Sequence, residues 1–112
     1  MLVLKRFEEG SIYIMDKDES NNTPIVRFKV KFIDPDKEYA ELIVTSGTTG
    51  RKITLFDEVV IADDLSLLFK GITIFNGKLS VAIGVCTESY RVIRGELFNT
   101  KNKHKRTGHQ RR

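Results

Sequence analysis

The sequence predicts an all-β domain, a small antiparallel barrel or sandwich of short strands. Three observations lead there. Apolar residues recur at every second position along most of the chain, the period of a half-buried strand. Clusters of Gly, Asn and Asp divide these stretches into about eight short segments. A length of 112 residues, 40% of them hydrophobic, suits one domain with one core.

Taken in order, residues 2–6 and 12–14 alternate and form a short hairpin around Gly10 in this reading. Residues 25–33 (IVRFKVKFI) place Val26, Phe28, Val30 and Phe32 on one face and Arg27, Lys29 and Lys31 on the other. Asp34-Pro35-Asp36 breaks that strand, and residues 39–45 return with Ala40, Leu42 and Val44 inward. Gly47-Thr48-Thr49-Gly50 turns the chain into a strand at 52–56. Residues 57–66 (DEVVIADDLS) form the one candidate helix, short and weakly patterned. Strands at 67–75 and 79–85 flank Asn76-Gly77, the strongest local signal for a tight hairpin. In the second of them Leu79, Val81, Ile83 and Val85 face one side and the small Ser80, Ala82 and Gly84 the other. Residues 90–94 make the last strand.

Charge divides the chain into a body and a tail. Residues 99–112 carry six Lys or Arg and no acid, so a chain of net +4 leaves its body at −2. Such a tail is a solvated end or an arm for polyanions. No apolar run approaches the roughly 20 residues of a membrane span. The start is apolar for three residues before Lys5-Arg6, which does not fit a signal peptide. A single cysteine, Cys86, forms no internal disulfide and points to a reducing, cytoplasmic setting. His104 and His109 have no carboxylate or thiol neighbour that would make them ligands.

Chemistry-bearing motifs are scarce. Thr45-Ser46-Gly47-Thr48-Thr49-Gly50-Arg51-Lys52 resembles the phosphate loop of adenylate-forming enzymes. Those enzymes need a far longer chain, and between two strand patterns the string reads as a turn. No Ser/His/Asp set, metal-spaced Cys/His cluster or paired acids in an apolar context occurs. Asp16, Asp18, Glu19, Asp34, Asp36, Asp63 and Asp64 all fall in turns of this reading. The expectation is therefore a protein with no catalytic residues, no metal and no cofactor.

The two ends carry a resemblance. Residues 1–16 (MLVLKRFEEGSIYIMD) resemble the opening of the carbon storage regulator family, CsrA/RsmA, through Leu2, Leu4, Arg6, Ile12, Ile14 and Asp16. Residues 77–98 (GKLSVAIGVCTESYRVIRGELF) resemble its second half through Ile83-Gly84-Val85, Tyr90, Val92, Arg94, Glu96, Leu97 and Phe98. Met15 replaces a glycine, Cys86-Thr87 replaces Ala-Pro, and Phe7 stands where a second arginine is frequent. The matching parts cover about a third of the chain. Relative to the family pattern, residues 1–98 form one domain with 17–64 inserted, followed by the tail at 99–112. A faint likeness between residues 25–60 and 67–98 offers a duplicated hairpin as another origin, with Phe56 where the second copy has Arg94.

The resemblance implies an intertwined homodimer that binds GGA-containing single strands or RNA loops near ribosome-binding sites and modulates translation. It implies that Leu4, Lys5 and Arg6 of one subunit face Val92, Ile93 and Arg94 of the other across the RNA. Alternation agrees with part of this, since Leu2, Leu4 and Arg6 share one face, as do Tyr90, Val92 and Arg94. An apolar floor edged by guanidiniums suits unstacked bases and phosphate. Lys101, Lys103, Lys105 and Arg106 would add polyanion contacts. Residues 40–85 also resemble the core of an OB-fold that binds single-stranded DNA, and a non-catalytic assembly adaptor is the third alternative.

Overall fold

The computed structural model describes residues 1–18 and 23–95, and it is all-β. Its nine strands are β1 (Leu2–Phe7), β2 (Ser11–Asp16), β3 (Val26–Asp34), β4 (Tyr39–Ser46), β5 (Thr49–Leu55), β6 (Glu58–Ala62), β7 (Leu65–Phe75), β8 (Lys78–Cys86) and β9 (Tyr90–Arg94). They form two antiparallel sheets, ordered β1-β8-β7-β6 and β5-β4-β3-β2-β9. The chain changes sheet three times, after β1, β5 and β8. Within each sheet neighbours are meander-connected except for two long-range pairs, β1 on β8 and β9 on β2.

The period-two faces meet between the sheets. Ile12, Ile14, Phe28, Val30, Leu42, Val44 and Leu55 come from one side and Leu4, Leu65, Leu67, Val81, Ile83 and Val85 from the other. Each large side chain buried there stabilises the fold by roughly 1.5–3 kcal/mol, which no isolated hairpin could gather. The segment between residues 17 and 64 supplies β3 to β6 and many of these core residues.

Four expectations need correction. Residues 57–66 are not helical: β6 pairs with β7, and Val59 and Ile61 pack against the core. The pattern EVVIA is too short and too β-branched for a helix, and the edge of β7 is open to receive it as a strand. Residues 2–6 and 12–14 are both strands but not a hairpin, because β1 and β2 lie in different sheets. The strand expected at 52–56 starts at Thr49 and ends at Leu55, leaving Phe56 outside it and exposed. Phe32 does not join Val26, Phe28 and Val30 in the core; it is 43% exposed, and Ile33, at 2%, takes the inward position.

That last reversal has a local cause. The β3–β4 register shifts between Val30 and Phe32, a bulge that moves every later side chain to the other face. The β1–β2 link is seated there: Glu9 N donates to Val30 O (2.7 Å) and Val30 N to Gly10 O (2.9 Å). Ile33 N donates to the Glu8 carboxylate at 3.0 Å. Glu9 pairs with Lys29 (2.9 Å) and Lys31 (3.5 Å), and the Lys29 contact holds its carboxyl below the ordinary range. The link is tight. Glu9 takes a φ of 70°, and a Cβ on Gly10 would lie 2.9 Å from Phe7 O.

The Asn76-Gly77 hairpin forms as expected. Phe75 pairs with Lys78, and φ values of 52° and 76° put both turn residues in the left-handed region of a type I′ turn. Gly47-Thr48 likewise closes a two-residue hairpin with Ser46 opposite Thr49. The string that resembles a phosphate loop is thus the end of a β-ribbon.

Of the acids expected in turns, Asp16 and Asp34 end strands β2 and β3, and these two and Asp64 accept hydrogen bonds from backbone amides. Asp34 Oδ1 accepts from the amides of Asp36 and Lys37, both at 3.0 Å. Asp64 accepts from Ser89 N (2.6 Å), Glu88 N (3.0 Å) and the Thr87 hydroxyl (3.3 Å), tying the β6–β7 turn to the β8–β9 crossover. Its hydrogen bonds to Ser89 and Glu88 lower its pKa from the usual aspartate value. A lowered folded-state pKa stabilises above the unfolded pKa and ceases to do so as pH falls through the folded one. Asp64→Asn, which tolerates the left-handed φ of 59° at this position, should therefore melt below the native protein at pH 7, with the gap narrowing as both are titrated into the acid range. Parallel curves at all pH values would remove the carboxylate from this account.

Candidate nucleic-acid interface

β1 and β9 are the terminal strands of their sheets, and one groove is lined from both. Register fixes which way their side chains face. Leu4 and Arg6 pair with the buried Ile83 and Val81, so both are on the inner face, and Val3, Lys5 and Phe7 are on the outer one. On β9, Val92 and Arg94 pair with the buried Ile14 and Ile12, whereas Arg91 and Ile93 take the opposite face. Tyr90 and Val92 pack against the core, and Arg94, at its end, is exposed.

The groove has a volume of about 460 Å3. Val3, Leu4, Lys5, Arg6 and Phe7 form one wall along β1, Phe75 and Ser80 continue it across the β7–β8 hairpin, and Arg94 closes it from β9. Leu4 is 8% exposed and is a floor residue. The Arg6 side chain is buried, with Nε donating to Lys5 O at 2.7 Å and an Nη to Ser11 O at 3.4 Å. Two of the guanidinium's donors are thereby taken up by backbone carbonyls. Among the described residues no group of three His, Cys, Asp or Glu could hold a metal ion, and no helix is long and apolar enough to cross a membrane.

The structure thus brings four of the six residues singled out by the sequence, Leu4, Lys5, Arg6 and Arg94, onto one groove of one chain. Val92 and Ile93 do not line it: Val92 belongs to the packing beneath, and Ile93 is on the reverse face. Within the chain β1 pairs with β8 and β9 with β2, so the two strands are not hydrogen-bonded to each other. Lys101, Lys103, Lys105 and Arg106 lie outside the described residues.

An aromatic pair beside the groove is invisible to the sequence reading. The Phe7 and Phe75 rings stack with centroids 6.1 Å apart and planes inclined by 29°. Lys78 Nζ sits 5.9 Å from the centre of the Phe7 ring, within cation–π range. Underneath, the hydroxyls of Thr73 and Ser80 are 3.2 Å apart. The hairpin signal at Asn76-Gly77 places Phe75 opposite Lys78, but only the long-range β1–β8 register brings Phe7 to them.

No family model, curated protein or solved structure matches the chain.

Proposed function

We propose that this protein is an RNA-binding post-transcriptional regulator that grips GGA-containing single strands or loops near ribosome-binding sites and modulates translation without catalysis. The observation that carries the reading is the convergence of Lys5, Arg6 and Arg94 over the Leu4 floor in one groove. Arginine offers forked donors to guanine edges and phosphate, and an apolar floor accepts an unstacked base. The resemblance of both chain ends to the CsrA/RsmA family selects the same residues independently of the groove. The reading includes a cytoplasmic homodimer. Both β1 and β9 end a sheet, so each presents a ladder edge on which a second copy could pair.

The test is a sizing run followed by titration of one GGA-loop RNA, the same loop scrambled, and single-stranded DNA of matched length. A dimer that prefers the GGA loop is expected. A monomer with equal affinity for all three would replace this function with general single-strand binding.

The tail adds a separate expectation. Residues 99–112 carry six cations, so deleting them should weaken GGA and scrambled RNA by the same factor. The log–log salt slope should flatten by roughly 0.7 for each phosphate that the shortened chain leaves unneutralised. An unchanged slope would leave the tail with no electrostatic role.

A further inference from the structure

We infer that the Phe7–Phe75 pair is a base-stacking subsite, in which Phe75 offers its ring to one unstacked nucleobase of the RNA held in the adjoining groove. The inference rests on the RNA-binding reading above and deepens it by naming where a base beyond the arginines is bound.

Position argues first. Phe75 is the last residue of β7, raised at the tip of the hairpin, and 53% of it is exposed. The ring is nevertheless held in place: it stacks on Phe7, which in turn lies under Lys78. A platform for a base needs both properties, a fixed orientation and an exposed ring. The same ring also lines the groove that the exposed Lys5 and Arg94 line, so a strand whose phosphates meet those two cations passes beside it.

Charge argues second. Lys5 and Arg94 line the same groove as the pair, Lys78 stands over the Phe7 ring, and the acid beside Phe7, Glu8, has a carboxylate oxygen accepting from Ile33 N at 3.0 Å. Cations select an anionic ligand, while an exposed ring selects a flat apolar one. A single-stranded nucleic acid is both, with a phosphate and a base at each step. An apolar peptide segment would satisfy the rings and leave the cations unanswered.

The experiment uses the full chain and a GGA-loop RNA in which each nucleotide in turn is made abasic, so that charge and length are constant while one base is removed. Native protein, Phe75→Ala, Phe75→Leu and Phe75→Tyr are compared, each first shown to melt as the native protein does. One abasic position should weaken binding to the native protein and to Phe75→Tyr by about tenfold, the scale of a single base–aromatic stack. At that same position Phe75→Ala and Phe75→Leu should show no penalty, because the stack is already gone. If no abasic position outside the two guanines of GGA weakens binding to the native protein, or if Phe75→Ala retains the full penalty there, the subsite is overturned and the RNA-binding function stands. If the native protein binds neither RNA nor its abasic forms, the function falls and the subsite with it.

Discussion

Phe28→Asp is expected to unfold the whole domain: its far-ultraviolet melt should show no cooperative transition, and the proposed RNA binding should be lost with it. Phe28 is 1% exposed, opposite Ile12 on β2 and Val44 on β4, in the middle of the five-stranded sheet. Removing a buried phenyl ring costs about 3–5 kcal/mol. Introducing a carboxylate in its place adds several more, since Phe28 is fully buried within the apolar core cluster. Together these consume most or all of the roughly 5–15 kcal/mol by which small domains are stable. The damage spreads because β3 is also where the β1–β2 link is anchored, through Glu9, Gly10 and the Val30 backbone. Phe32→Asp is the matched comparison. Only four residues away, Phe32 is 43% exposed and edge-on to Tyr39, so its variant should fold, with a melting temperature a few degrees lower. A cooperative Phe28→Asp melt with native RNA affinity would make residues 17–64 an appendage and contradict the shared core.

Those two phenylalanines also show where the sequence is legible. Up to Val30 the alternation of VRFKV states the buried face correctly, because period two needs nothing but a pleat. Past Val30 it fails, because the strand bulges there, where Glu8 to Gly10, some twenty residues upstream, hydrogen-bond to Val30 and Ile33. The same division runs through the rest. Asn76-Gly77 encodes its hairpin locally, and the β7 and β8 strands follow. That β1 would leave β2 and pair with β8 is a long-range choice, and no local pattern in LVLKRF carries it. The groove inherits this split. Its arginines follow from face arithmetic and from resemblance, whereas Phe7, Phe75 and Ser80 become neighbours only through the β1–β8–β7 register. β6 is misread because the stretch is short and weakly patterned between its flanking acids, although its β-branched VVI favours the strand that the free edge of β7 receives.

Arg94→Ala is expected to melt as the native protein does and to lose all preference for GGA over scrambled loops. The residue is exposed at the end of β9, so truncating it leaves no cavity and no buried partner behind. Its guanidinium shares the groove with Lys5 and Arg6, where a forked contact to a guanine edge is worth roughly 1–3 kcal/mol of discrimination. Arg91 is the control, three residues earlier on the same strand and on the opposite face. Its Nε donates to Asp16 O at 2.7 Å, fastening β9 to the end of β2. Arg91→Ala should therefore show the inverse pair of effects: a drop in stability of about 1 kcal/mol for the missing hydrogen bond, and GGA preference intact. The two variants remove the same charge from the same five-residue strand, so long-range electrostatics affects both alike and cancels in the comparison. What differs is the face. If both lose sequence preference equally, the arginines act only through charge; if Arg94→Ala still prefers GGA, guanine is read elsewhere and the assignment of this groove as the reading site is wrong.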